Sequence, residues 1–144
     1  MEWTRGDHTI STDRARLDVP LIHRFLSEES YWAKGRSREK VERSIESSIC
    51  FGLYDRAGAQ IGFTRVVTDR ATFAWVCDVF VLPRGRGAGL ARWMMETMLE
   101  HPELQELRRW LLGTRDAHEL YAGFGFTPLA DPSRFMERFT GRAG

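Results

Sequence analysis

The chain has 144 residues, 42% of them hydrophobic, and a formal charge of +1, which suits a single domain, residues 1–144, built around a substantial core. So small a net charge gives no global argument for nucleic acid or an anionic membrane, and neither an apolar run of spanning length nor a signal-peptide core occurs. Cys50 and Cys77 lie in apolar, strand-like runs where reduced thiols are expected, and the 4 histidines are scattered without metal-ligand spacing, so a cytoplasmic protein without a metal is expected.

In chain order, Asp7–Thr12 reads as a short first edge strand. Asp18 caps a helix with Pro20 in its first turn and Leu21, Ile22, Phe25 and Leu26 on one side, ending near Ser30. The aromatic pair Tyr31-Trp32 and a basic, glycine-containing turn follow, after which Ser37 caps a second helix with Val41 and Ile45 as its buried stripe. Cys50–Tyr54 and Ile61–Val67 read as strands joined by Asp55-Arg56-Ala57-Gly58, a turn of hairpin length. Thr72–Leu82 is a third strand, rich in aromatic and β-branched residues and broken by Pro83. Three successive strands with no helix between them predict an antiparallel meander.

Beyond Pro83 a Gly/Arg loop leads into Leu90, Met94, Thr97 and Met98 at helical spacing, a helix that should end by His101-Pro102. Arg109–Thr114 is a further strand, and a helix between it and the previous strand favours parallel pairing. Asp116 is expected to cap a short helix, Ala117–Ala122, stopped by Gly123 and Gly125. Phe126-Thr127 and Phe135–Phe139 read as last strands around a proline-containing turn, and Gly141–Gly144 as a frayed end.

The strand–loop–helix unit from Thr72 to Met98 carries the chemistry. A glycine-rich entry lets the first N–H groups of a helix, which lack intrahelical partners, close on a phosphate without Cβ atoms in the way. The P-loop pattern is absent because no lysine follows these glycines, and the dinucleotide fingerprint fails because its third glycine falls on Arg92 in one register and Leu90 in the other.

Arg86-Gly87-Ala88-Gly89-Leu90-Ala91, set downstream of Val81-Leu82-Pro83, resembles motif A of the GNAT N-acetyltransferases, [Gln/Arg]-x-x-Gly-x-[Gly/Ala]. A second register, Arg84 to Gly89, also satisfies the pattern but sets the arginine directly after Pro83. Thr114 to Phe126 resembles the family's motif B, matching at Ala117, Leu120, Tyr121, Gly125 and Phe126 and departing at Thr114, where the family often has asparagine. The resemblance implies an α/β (α+β) fold with a mixed, mostly antiparallel central sheet of six to seven strands and about four helices.

It further implies acetyl-CoA as co-substrate, its pyrophosphate on the amides of Gly87, Ala88, Gly89, Leu90 and Ala91 beside Arg86. Its pantetheine arm would lie along the free edge of Val79, Phe80 and Val81, with Thr114 as a further contact. Tyr121 would be the general acid, and a backbone N–H near Val79 would hold the thioester oxygen. For the base, Asp78 is the carboxylate nearest the cofactor strand, a salt-bridged aspartate being the alternative, and Glu28 and Glu29 are further candidates. Tyr31, Trp32, Phe63 and Trp75 either line an acceptor pocket or belong to the core.

The function these readings imply is acetyl transfer to a primary amine of a small molecule by direct attack in a ternary complex. No nucleic acid or membrane partner is expected, and a homodimer is compatible. An acyl-CoA sensor without catalysis and an acetyltransferase acting on protein lysines or N-termini stay open as alternatives.

Overall fold

The computed structural model describes residues 1–144. Six strands form one sheet whose spatial order follows chain order. They are β1 (Glu2–Arg5), β2 (His8–Ser11), β3 (Ile49–Tyr54), β4 (Gln60–Thr68), β5 (Phe73–Val81) and β6 (Arg109–Leu112). Every neighbouring pair is antiparallel except β5 with β6, which is parallel. The helices are α1 (Val19–Arg24), α2 (Arg38–Glu46), α3 (Leu90–Leu99) and α4 (His118–Ala122). None is long and apolar enough to cross a membrane.

Local chemistry sets the helix boundaries. Asp18 accepts from the Leu21 N–H at 3.1 Å and Ser37 from Lys40 N–H at 3.2 Å, each meeting a helix donor that has no acceptor within the helix. α1 widens into a π-turn over Phe25–Glu29, closed by the Ser30 N–H on the Phe25 carbonyl at 2.9 Å. Buried Ser30 then donates to the Leu26 carbonyl and accepts from the Ala33 N–H, which pins the loop that projects Tyr31 and Trp32.

The sheet separates two cores. On one face α1 and α2 bring Leu21, Ile22, Leu26, Val41 and Ile45 against Cys50, Phe63 and Phe80. On the other, α3 and α4 bring Trp93, Met94, Met98 and Tyr121 against Phe51, Val66, Val76 and Val81. Met94 and Met98 are fully buried, so truncating either to alanine is expected to cost about 2–5 kcal/mol.

Several expectations change. The chain opens with a hairpin, β1 to β2 around Gly6 at φ +58, where one edge strand was expected. β1 is mostly polar and exposed, so its pattern carries little strand signal; its Trp3 meets Phe51 and His101 at ring distances of 6.2 and 6.1 Å. Ile49 opens β3. Asp116 does not cap α4, whose N-cap is Ala117 with no side-chain cap; Thr114 Oγ1 accepts from the Ala117 N–H at 3.0 Å, in the turn ahead of the helix. Phe126-Thr127 and Phe135–Phe139 are not strands, so the sheet ends at β6. Phe135 instead lies under the Arg109 guanidinium, 5.2 Å from its ring centre. Gly144, expected to fray, has its carbonyl held by Arg36 Nε at 2.7 Å.

Candidate functional site

β5 contains the irregularity on which the site is built. Phe63 pairs with Phe80 and Arg65 with Cys77, so Thr64 alone faces both Asp78 and Val79, which is a β-bulge. Asp78 adopts φ +54 to make it. β6 pairs with β5 only from Phe73 to Val76, so beyond the bulge that edge of β5 has no strand beside it. The Leu82 N–H donates to the Ile61 carbonyl at 2.7 Å, toward β4. The Val81 carbonyl, on the same peptide, therefore points the other way, and by strand alternation Val79 and Val81 turn their N–H and C=O groups to the open edge while Phe80 turns its own toward β4. Arg86 Nε caps the Val81 carbonyl at 3.0 Å.

The loop into α3 lies at the end of this edge. Gly87 and Gly89 have φ +89 and +70, the left-handed region that penalises any other residue. Gly89 is the N-cap and offers no side chain, and the first main-chain bond of α3 runs from the Trp93 N–H to the Gly89 carbonyl. The N–H groups of Leu90, Ala91 and Arg92 are thus left without intrahelical acceptors, and the helix dipole adds positive potential there. Arg84 and Arg92 do not face the loop as free charges. Arg84 donates to the Gln60 carbonyl at 3.0 Å, and Arg92 stacks over Phe124 at 5.4 Å, tying α3 to the segment after α4.

Tyr121 is buried on α4, edge-on to Phe126 at 6.0 Å. Burial, with Tyr31 and Asp116 nearby, pushes its phenol up to about 12, so it is protonated at neutral pH. Tyr31 reaches over from the α1–α2 loop: its hydroxyl accepts from the Arg115 N–H at 2.9 Å and the Arg115 guanidinium lies 3.9 Å over its ring. The loop carrying Trp32 is thereby fastened to the segment that starts with Thr114 and leads into Tyr121.

Asp78 is almost fully buried and is encircled by donors. One oxygen takes the Trp32 Nε1–H at 3.0 Å; the other takes Arg36 at 2.8 Å and Arg65 at 2.7 Å. Burial alone would raise this carboxyl, but the charges and hydrogen bonds of Arg65 and Arg36 outweigh it and hold it below its ordinary value. A carboxylate held so is a weak proton acceptor, which favours the salt-bridged reading of Asp78 over the general base. Glu28 is exposed, and its main-chain carbonyl, not its carboxylate, is what Lys34 Nζ contacts at 3.4 Å.

Among the aromatic residues, Phe63 is core, fully buried, whereas Tyr31, Trp32 and Trp75 are exposed at 39, 38 and 42%. Burial pushes the thiols of Cys50 and Cys77 up to about 12 and about 11. Both therefore stay protonated at neutral pH. Arg36 and Arg65 were missed in the sequence. The signal for Arg65 was its phase: it shares the register of Phe63 and Val67, so a charge occupies the inward-facing side of a largely apolar strand.

Comparison with known proteins supplies a family. The model of an acetyltransferase (GNAT) domain matches residues 46–128. A candidate acetyltransferase from Gibberella zeae is 35% identical over 138 residues, 83% of this chain and 78% of that protein. The crystal structure of a candidate GNAT-family acetyltransferase from Xanthomonas campestris pv. campestris superposes with a TM-score of 0.91 at 47% identity, covering 95% of this chain and 96% of that one. The N-acetylglutamate synthase of Neisseria gonorrhoeae, solved with coenzyme A and N-acetyl-glutamate, shares the fold with a TM-score of 0.72 at 19% identity, covering 89% of this chain and 30% of that one.

Proposed function

The chain belongs to the GNAT acetyltransferase family, and from that premise we propose that residues 1–144 act as one N-acetyltransferase domain that passes an acetyl group from acetyl-CoA to the primary amine of a small molecule. The observation that carries this reading is the alignment of two sets of unused main-chain donors, at Leu90–Arg92 and along Val79–Val81, on one side of β5. Coenzyme A in the synthase with the shared fold supports the choice of co-substrate.

Acetyl-CoA, when bound, supplies the thioester carbon that the amine attacks. The amides of the entry to α3, Gly87 to Ala91, take the pyrophosphate, as several donors fixed in place can without a reorganisation cost. Val79 and Val81 hold the pantetheine amides as a strand would, with Arg86 leaving the Val81 carbonyl to the incoming chain. The Val79 N–H, next to the bulge, stabilises the thioester oxygen as it gains charge. Thr114 Oγ1 is engaged by the Ala117 N–H and shapes the cleft through the turn it holds ahead of α4.

Tyr121 faces the leaving sulfur. Full proton transfer from a phenol near 12 to a thiolate near 8.5 is uphill by roughly 5 kcal/mol. The phenol therefore acts by donating a hydrogen bond as the C–S bond breaks, and the proton lost by the acylated amine ends on the sulfur. Products are one amide and one free thiol. Asp78 positions Arg36, Arg65 and Trp32 at the bulge and is not assigned the proton. Tyr31, Trp32 and Trp75 line the acceptor side.

Incubation with acetyl-CoA and a panel of primary amines, with free thiol followed over time, tests the proposal. Thiol release that depends on the amine is expected. Tight coenzyme A binding with no such release under any amine would favour a sensor.

A further inference from the structure

Large aromatic side chains stay open to solvent on the α2 side of β5 and in the loop that meets it. Phe73 and Trp75 project from that face of the strand at 40 and 42% exposure, outside the core that α1 and α2 form. Tyr31 and Trp32 are similarly exposed, yet they are held in one arrangement. Their rings meet edge to face, 5.1 Å apart and at 83°. Each polar end is engaged by the protein: the Trp32 Nε1–H donates to Asp78 at 3.0 Å, and the Tyr31 hydroxyl accepts from the Arg115 N–H at 2.9 Å. Two rings fixed at a right angle make a corner with an apolar wall and an apolar floor. Apolar surface left in water, and already ordered, gains most from a ligand that asks for no reordering of the side chains.

The corner also stands at the reaction centre. Trp32 ends on Asp78, the residue before Val79, whose N–H is assigned to the thioester oxygen, and Tyr31 lies close enough to Tyr121 to help push its phenol up. The charged groups that border the corner are committed within the protein. Asp78 is taken by Trp32, Arg36 and Arg65, and Arg115 lies 3.9 Å over the Tyr31 ring. What the corner offers an acceptor is therefore aromatic surface and not a charge.

We propose that this corner receives an aromatic ring of the acceptor, so that the amine acetylated at the bulge belongs to an arylalkylamine whose ring packs on Tyr31 and Trp32, with Trp75 on the sheet side. The inference rests on the acetyl-transfer reading for the position of the amine. It runs against polyamines, which bring charge and no ring.

The test uses the full chain and three matched pairs of primary amines: benzylamine with methylamine, 2-phenylethylamine with ethylamine, and 3-phenylpropylamine with n-propylamine. After correction for the fraction of each amine that is neutral at the assay pH, kcat/KM should favour the ring-bearing member of at least one pair by about thirtyfold. The pair with the largest ratio sets the linker, and its ratio should fall about fivefold or more in Trp32→Leu and in Trp75→Leu. A ratio taken within one variant does not change when folded protein is lost or when both amines slow alike, and Trp75 is not bonded to Asp78. Independently of transfer, titration calorimetry in the presence of coenzyme A should show the N-acetyl derivative of the ring-bearing amine binding about tenfold more tightly than that of its partner, and the difference should shrink in both variants.

Ratios near one in all three pairs, a preference that persists unchanged in either variant, or equal kcat/KM for the cyclohexyl analogue of the preferred amine each overturns the proposal. A dimer in sedimentation equilibrium that Trp75→Leu dissociates, with no ring preference in wild type, would give the face to a second copy and overturn it as well. If no amine releases thiol, the transfer reading fails by itself and the calorimetric comparison decides the corner alone: tighter binding of the ring that is lost in the variants upholds it, and equal binding removes it.

Discussion

The two flanks of β5 present positive potential by different physical means. At the α3 flank the donors are main-chain N–H groups, fixed in direction by the helix and unable to titrate, and all they require of the sequence is glycine at Gly87 and Gly89. At the α2 flank the donors are the guanidinium groups of Arg36 and Arg65 on long side chains, kept in place by a buried counter-ion, Asp78, and, for Arg65, by Ser48. The first arrangement is cheap to fold and indifferent to pH. The second stores charge in a low-dielectric setting and stands only while its carboxylate is ionised.

The largest test of that contrast is Asp78→Asn, which leaves two mostly buried guanidiniums without a charge partner. A loss of about 3–5 kcal/mol in urea-unfolding free energy at pH 7 is expected. Because the folded carboxyl is held below its unfolded value near 3.9, its contribution is complete above about pH 4 and disappears as pH falls through the lower folded value. The wild type should therefore lose stability in acid more steeply than the asparagine variant. A change under about 1 kcal/mol at pH 7 would mean that Arg36 and Arg65 do not depend on this group.

Tyr121→Phe should lower kcat by about a hundredfold while the coenzyme A dissociation constant moves by no more than about twofold. Unchanged turnover would remove the phenol from the reaction. At the α3 flank, Gly89→Ala forces a Cβ onto φ +70, which should cost about 1–2 kcal/mol of stability and weaken coenzyme A binding measured by titration calorimetry. Full affinity in that variant would show that the amides are not the phosphate donors. The smallest effect is expected for Tyr31→Phe, which deletes the acceptor of the Arg115 N–H. A rise in acceptor KM equivalent to about 1 kcal/mol, with coenzyme A affinity steady, would place this tie on the acceptor side.

The same contrast explains which parts could be read from the chain. Main-chain chemistry leaves a local trace: the glycines of the α3 entry, Pro83, and the apolar spacing of Leu90, Met94 and Met98 were visible, as were the caps at Asp18 and Ser37. Side-chain chemistry across the sheet leaves almost none. Asp78 is 42 residues from Arg36, 46 from Trp32 and 13 from Arg65, and only the meander and the bulge bring them together. The bulge itself follows from no local signal, since Asp78 is an ordinary strand residue in sequence until Thr64 is seen to face two residues. The final segment misled for a physical reason as well. Phe135–Phe139 was expected to be a strand, but Phe135 lies under the Arg109 guanidinium, and Met136 and Phe139 stay exposed.

The extra residue in β5 works as a frame slip. Ahead of it, Val76 belongs to the α3 face and the odd positions Trp75 and Cys77 face the α2 side; past it, odd-numbered Val81 joins the α3 core and even-numbered Phe80 the α2 core. Removing Asp78 would restore regular alternation with Phe80 still opposite Phe63 and Val81 still opposite Gly62, so Val79 and Val81 would keep the α3 face and Phe80 the α2 face, and only the residue that opens the ladder at Thr64 would be lost. The added residue thus lets Asp78 reach Trp32, Arg36 and Arg65 without disturbing the packing on either side of it, and any transplant of this cleft into another sheet would have to carry that residue with it.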